Sequence, residues 1–309
     1  MRILHIDTGR EMRGGQHQVL LLLNGLKEAG HESVLLARAD GPLQKAAEAE
    51  GFAVHSASLQ TVWRHSSAAE MVHAHDAKGH TLAALASRRK FVVSRRVAFP
   101  VKRGLASRWK YSRAARFLAV SRCVAGELEK AGIDREMIDI VFDGIDLESK
   151  PGVASQAWSS QFPAVALASA DPLKGRDLVQ QAAGRAGIPI VFSDNLARDF
   201  QHASMFVYIT RSEGLGSAAL LAMRMGVPVI ASRVGGLPEI MEGNGEDGQL
   251  GILVENDIEQ VASAMQRLRA DEPRALAFIE RGRRRIENVF ARPHLVRRTL
   301  ASYGRALAG

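Results

Sequence analysis

The sequence holds one cysteine, Cys123, in 309 residues. No internal disulfide can form, and a reducing compartment is expected. No apolar run approaches the roughly 20 residues that span a bilayer. The opening "MRILHIDTGREMRGGQ" turns polar after Asp7, too early for the apolar core of a signal peptide. These absences lead to the expectation of a soluble, cytoplasmic protein. Zinc-finger spacing, an aromatic RNA-binding motif and a helix-turn-helix pattern are also missing, so nucleic acid is not an expected partner. Acid is missing locally. The stretch "RRKFVVSRRVAFPVKRGLASRWKYSRAAR", residues 88–116, has no Asp or Glu, within a chain of formal net charge +8. Such a run is most often a solvated face. The sharper reading is attraction to an anionic surface or substrate.

What is present is an alternation. Short apolar runs ("RILHI", "SVLLA", "MVHAH", "FVVS", "RFLAV", "DIVF", then "AVALA", "IPIVF", "MFVYI", "VPVIA", "GILV") are separated by amphipathic stretches such as "QVLLLLNGLKEAG", "GHTLAALASRR" and "GRDLVQQAAGRAG". Strand then helix, repeated, predicts α/β architecture with parallel sheets covered on both faces. The length favours two domains. The Ser/Pro/Gly-rich stretch 146–163, "DLESKPGVASQAWSSQFP", lacks periodicity and reads as the linker. Residues 1–150 then form one Rossmann-like domain and 151–290 a second. Residues 291–309 form a terminal helix. Nearly every strand is followed by charged, hydroxyl or glycine residues, and parallel α/β sheets bind ligands beyond the carboxyl ends of their strands.

Four of these strand ends carry candidate chemistry. Gly14 and Gly15 in "RGGQHQ" open the first helix, where a backbone can approach a ligand and free N–H groups meet an anion. The bland reading is a plain turn. The dinucleotide spacing G-x-G-x-x-G is absent, which disfavours NAD. "MVHAHD" puts His73 and His75 on one sheet face. A metal needs a third ligand and none is evident in the sequence, so no metal is expected. His73 reads as a core histidine and His75, nearer the strand end, as the functional candidate. Lys174 in "LKGRDL" enters a helix beside free amides, which suits a phosphate, although a solvated lysine is an equal alternative. "TRSEGLGSAALLAM" is the strongest signal. Its glycines allow a tight turn, the amides of Leu215, Gly216 and Ser217 can hold an anion, and Glu213 projects toward a ligand hydroxyl. Capping of the helix by Glu213 or Ser217 is the ligand-free alternative.

In order along the chain, the "GG" loop, "VHAHD", "AVSRCVAGELEKAGI", "VFDGID", "LKG", "SEGLG", "MGVPVIASRVGGLPEI" and "GILVEND" resemble the GT-B-fold glycosyltransferases of the large, mostly retaining family 4 group. The resemblance covers nearly the whole length. It implies two Rossmann-like domains facing a cleft, with a nucleotide-sugar donor held mainly by the second. It also implies a terminal helix returning to the first domain, and no cofactor or metal. Glu213 and His75 would serve the transferred sugar. Gly14, Gly15, Lys174, Leu215, Gly216 and Ser217 would serve the donor phosphates.

Three departures stand out. The family's Gly-Arg before the lysine is Ala168-Ser169 here, so Arg13, Arg95, Arg96 and Arg176 are candidates to compensate. The second acid of the family aligns with Leu221, eight positions after Glu213. Only "IPIVFS" stands where the family has two strands, so the second domain is shortened by about one β-α unit. The expectation is a retaining, metal-independent glycosyltransferase of lipopolysaccharide core or other envelope glycans. Its acceptor would be an anionic glycan or glycolipid, reached from the inner face of the membrane by peripheral contact. The alternative is a GT-B-like protein that binds a ligand or partner but has lost transfer.

Overall fold

A computed structural model of the chain describes residues 1–102, 104–147, 158–243 and 248–309. The described residues divide into two compact units, Met1–Gly144 with Arg292–Gly309, and Ile145–Ala291. The first unit therefore ends before residue 150. Ile145 already belongs to the second, where it pairs with Ala291 and its amide donates to the carbonyl of Phe290 at 2.6 Å. Residues 148–157 of the expected linker lie outside the described residues.

The first unit is built on seven parallel strands: β1 (Arg2–Asp7), β2 (Glu32–Ala37), β3 (Ala53–Ser56), β4 (Met71–Ala74), β5 (Phe91–Arg95), β6 (Arg116–Ala119) and β7 (Ile138–Ile140). Their order is β3-β2-β1-β4-β5-β6-β7. Six of the seven follow from apolar runs in the sequence. The seventh, β3 "AVHS", does not, because at the sheet edge it buries almost nothing and so leaves no apolar signature. The helix Gly14–Glu28 covers one face with Leu22 and Leu26, which pack with Ile3, Met71, Val92 and Leu118. The last helix, Arg292–Ala308, packs on the same cluster through Leu295, Val296 and Tyr303. Gly25 is what lets these two helices close up, since a Cβ there would lie 2.4 Å from Val296.

The second unit holds β8 (Ala164–Leu167), β9 (Ile190–Ser193), β10 (Met205–Tyr208), β11 (Val229–Ser232) and β12 (Ile252–Val254), all parallel, in the order β12-β11-β10-β8-β9. One strand, β9, stands between the helix Arg176–Ala186 and β10, as the shortened sequence implies. Glycines stop the helices: Gly187 and Gly226 cap theirs with φ of +67° and +75°, the left-handed backbone that favours glycine. Among the described residues no helix is long and apolar enough to cross a membrane.

Each sheet reverses its strand order once, between β1 and β4 in the first unit and between β8 and β10 in the second. Connections leave such a point in opposite directions and open a crevice beyond the strand ends.

Candidate active site

At the switch point of the second sheet the chain leaves β8 through Ser169, whose hydroxyl accepts from the Asp171 amide at 3.2 Å. It then makes a single 3-10 turn, Pro172–Lys174. Gly175 follows with φ +60°, and a Cβ there would meet the Ile209 carbonyl at 3.0 Å. Only glycine lets this turn pack against the end of β10. The carbonyl of Leu173 accepts from the Arg211 amide at 2.8 Å and from Thr210 Oγ1 at 3.1 Å, which ties the two strand ends together. A cavity of about 540 Å³ opens here, lined by residues including Ser169, Asp171, Arg176, Thr210, Arg211 and Asn256.

Beside it, Lys174 Nζ donates to Glu213 Oε2 at 2.9 Å, with the side chains 24% and 17% exposed. The Tyr208 hydroxyl donates to the same oxygen, and the Gly214 amide donates to Oε1 at 3.1 Å. The ammonium also lies over the Tyr208 ring, 5.6 Å from its centroid. Tyr208 is 4% exposed. Burial, reinforced by the Glu213 charge, raises its phenol well above the ordinary value, so it remains a donor at any ordinary pH. The lysine and glutamate read from sequence are thus brought together as one ion pair, with a tyrosine that the sequence reading took for strand core.

The capping alternative for Glu213 does not hold. The helix Ser217–Met225 opens at Gly216, φ +116°, with no side-chain cap and no acid in its first turn. Leu215 and Gly216 form the turn before it, and Ser217 supplies its first amide. The helix begins only at Ser217, so Glu213 lies before it and Leu221 within it. The glycine turn, not helical periodicity, aims Glu213. Leu221 is half-buried on that helix. Gly235, from the "VGG" turn after β11, presses on the glutamate's backbone: its φ is +59°, and a Cβ would overlap the Glu213 carbonyl oxygen at 1.8 Å.

The switch point of the first sheet is also polar. Asp7, 2% exposed, ends β1. It accepts from Gln16 Nε2 at 3.1 Å and from the Gly9 amide at 2.9 Å. Burial and the nearby Asp76 carboxylate raise its carboxyl above the usual range. Asp76 caps the helix Ala77–Ala86 through the Gly79 amide and accepts from the Thr8 amide at 2.9 Å. Gly14 and Gly15 begin the next helix. Arg96 lies alongside, its Cδ 3.9 Å from where a Gly15 Cβ would be, and its Nε donates to Asp143 at 2.9 Å.

His73 and His75 share one side of the sheet, their ring centroids 3.9 Å apart. The third histidine that the sequence did not reveal is His5 on β1, and donor atoms of the three lie within 4.8 Å of one another. Hydrogen bonds already occupy most of these atoms. His73 binds the Tyr303 hydroxyl through Nδ1 and Ser94 Oγ through Nε2, both at 2.7 Å, so it is the core histidine expected, satisfied by side chains and not by the backbone. His75 Nε2 lies 3.0 Å from His5 Nδ1, while His75 Nδ1 is buried with no partner. Burial drives all three below the ordinary imidazole value, His5 to about 3, so they are neutral at physiological pH.

The four candidate compensating arginines separate. Arg13 is exposed and paired with Glu11 at 2.7 Å. Arg95 is held by the Tyr111 hydroxyl at 3.1 Å and the Phe99 carbonyl. Arg96 is paired with Asp143. Arg176 lines the 540 Å³ cavity, its guanidinium 4.6 Å from the Phe192 ring centroid. Of these, only Arg176 shares a unit with Lys174.

The comparisons agree with this architecture. A model described as Glycosyltransferase Family 4 matches residues 12–149, and one described as Glycosyl transferases group 1 matches residues 165–271. The MMP alpha-(1->4)-mannosyltransferase of Mycolicibacterium hassiacum is 36% identical over 31% of this chain and 23% of its own. The lipopolysaccharide core biosynthesis mannosyltransferase LpsB of Rhizobium meliloti is 32% identical over 35% of this chain and 31% of its own. The matches thus span about a quarter to a third of these relatives. Among solved structures, Anabaena HepE in complex with UDP superposes with a TM-score of 0.83 at 15% identity, covering 98% of this chain and 100% of that one. A glycosyltransferase from Rickettsia africae gives 0.82 at 16% identity, covering 99% and 98%. With two parallel α/β sheets and family models over both, the chain belongs to the GT-B-fold glycosyltransferases of the family 4 group.

Proposed function

We propose that this protein transfers a sugar from a nucleotide-sugar donor to an acceptor hydroxyl, with retention of anomeric configuration and without a metal. The observation that carries the reading is the Lys174–Glu213–Tyr208 cluster at the switch point of the second sheet. A cation, a carboxylate and the open helix start at Gly216 are what a sugar diphosphate requires. In this reading Lys174 and the amides of Leu215, Gly216 and Ser217 stabilise the diphosphate as the bond between the anomeric carbon and the phosphate oxygen breaks. The acceptor oxygen bonds to that carbon on the same face, and its proton passes to the departing phosphate. Glu213 holds sugar hydroxyls, with Tyr208 fixing its carboxylate. Gly14, Gly15 and His75 serve substrate from the first unit. Arg176 takes the place of the arginine lost at Ser169.

The acceptor we propose is an anionic envelope glycan or glycolipid. LpsB and the capsular polysaccharide glycosyltransferase CapM of Staphylococcus aureus support the class. The exposed Val97, Phe99, Leu105 and Trp109 in the basic stretch support peripheral contact with an anionic membrane on the cytoplasmic side. Loss of activity is the weaker reading, since the charged cluster and the glycines that aim it are kept. A thermal-shift screen against UDP-, GDP-, ADP- and CMP-sugars tests the proposal, followed by hydrolysis assays on any hit. HepE was solved with UDP-glucose, which makes UDP-sugars the first arm. Stabilisation by one donor class together with slow hydrolysis is expected. Binding without hydrolysis or transfer would leave a binding protein, and no stabilisation by any donor would sink the reading.

A further inference from the structure

His75 has one nitrogen tied to protein and one left over, and what ties the first decides what the second can do. Nε2 faces His5 Nδ1 at 3.0 Å. On its far side, His5 Nε2 faces Ser33 Oγ at 3.4 Å. Nδ1 of His75 is buried and unpartnered. His5, His75 and Ser33 are 0%, 5% and 8% exposed.

Both imidazoles are neutral, so each carries one hydrogen and only one hydrogen lies between them. Two arrangements exist. In the first, Ser33 donates to His5 Nε2, His5 Nδ1–H donates to His75 Nε2, and the hydrogen of His75 is on Nδ1. In the second, His75 Nε2–H donates to His5 Nδ1, and His5 Nε2–H donates to Ser33. The Ser33 hydroxyl then needs an acceptor of its own. Among the described residues its side chain has no hydrogen bond other than that to His5. The first arrangement leaves one buried polar group unsatisfied, and the second leaves two. Each buried orphan is costly, so the first is the stable one.

We propose that Ser33 and His5 form a donor chain that fixes the hydrogen of His75 on Nδ1, so that His75 meets its ligand oxygen as a hydrogen-bond donor and not as a base. His5 is thus a positioning residue. The proposal rests on the reading that His75 faces substrate in sugar transfer, and it assigns the direction of that contact: a substrate hydroxyl oxygen accepts from His75. It also leaves the acceptor's proton to the departing phosphate, because an Nδ1 that already holds hydrogen cannot receive one.

The test is a long-range proton–nitrogen correlation spectrum of protein labelled with 15N-histidine, with His75→Gln to assign the signal. The unaltered protein should carry the His75 hydrogen on Nδ1. Ser33→Ala, a small change that leaves the core packed, should give a mixture. His5→Phe should move the hydrogen to Nε2, the form neutral histidine takes when nothing holds it, and lower transfer about tenfold. His5→Asn, whose amide nitrogen sits where imidazole Nδ1 was, should restore both. A wild-type His75 protonated on Nε2 overturns the proposal, and so does a tautomer that ignores both Ser33→Ala and His5→Phe. The expected tautomers in a protein that transfers no sugar would uphold the donor chain and remove the assigned activity, so the two failures are distinguishable.

Discussion

Glu213 has two donors on one oxygen, and they differ in kind. Lys174 supplies charge and Tyr208 supplies direction. Glu213→Gln keeps the shape but leaves the half-buried ammonium unpaired. It should cost about 1–3 kcal/mol of stability and cut transfer strongly while nucleotide affinity stays largely intact. Tyr208→Phe keeps the charge pair and removes the orienting bond. It should lower transfer less, with no change in the nucleotide dissociation constant. Calorimetric titration with the nucleotide, run beside transfer assays, separates the two effects. Equal loss of nucleotide affinity in Glu213→Gln would place the carboxylate at the nucleotide instead. Lys174 and Glu213 were legible in the sequence because glycines beside them announce strand ends. Tyr208 and His5 were not. Each lies within a run that reads as strand core. Tyr208 meets Glu213 five residues on, but only because the glycine turn folds the carboxylate back onto its ring, and the partner of His5 is set by register between strands. His5 and His75 are 70 positions apart, and nothing local in either segment reports that β1 and β4 are adjacent.

Loops that touch each other make the site as much as side chains do. The turn after β11 leans on the turn after β10, with Gly235 against the Glu213 carbonyl. Gly235→Ala adds a methyl group where there is no space, on a backbone of φ +59°. It should cost about 2–4 kcal/mol and displace Glu213. Thermal unfolding and donor binding should fall together, and an unchanged donor affinity would show that the contact does not aim the glutamate. At this scale the sequence reading succeeded where buried strands are apolar on both faces. It failed at β3, whose stability comes from pairing with β2 and not from burial.

Charge decides two properties of the whole molecule. His5, His73, His75 and His80 are buried, with imidazoles driven below the ordinary 6.5 by that burial, His5 and His80 to about 3. In the unfolded chain they take up protons near pH 6.5, and in the folded protein they do not. Their stabilising contribution is therefore present above pH 6.5 and is lost as pH falls from there toward the folded values, each losing about 1.4 kcal/mol per pH unit. Asp7 works against this, since its raised carboxyl is protonated first in the folded state. Urea midpoints measured from pH 7.5 to 4.5 should drop steadily, and less steeply in His80→Phe. A flat profile would mean that the histidines are accessible.

The second property is the basic stretch. Its charges are not all free: Arg116 pairs with Asp139 at 2.7 Å and Arg96 with Asp143 at 2.9 Å, acids supplied from "IDIVFD". The helix Leu105–Ser112 nonetheless buries none of its residues, and Leu105 is 85% exposed. Sedimentation with anionic vesicles should carry the protein down at low salt and much less at physiological ionic strength, with Leu105→Ser and Trp109→Ser weakening it. Equal binding to neutral and anionic vesicles, or none to either, would remove the membrane contact.

Tyr303 is fully buried against His73, yet 230 residues of chain separate the two. The whole second unit is encoded between them. A chain made from its amino end at about 5–20 residues per second therefore spends on the order of ten seconds with β4 complete and its covering helix not yet made. During that interval the apolar face formed by Leu22, Leu26, Met71 and Val92 has no lid, while the second unit can emerge and fold without interruption. The order of maturation runs opposite to the order of synthesis: the half made first is the half finished last. A nascent chain halted before residue 292 should accordingly lose its first unit to protease and keep its second, and it is the first unit that would need a chaperone's shelter on the ribosome.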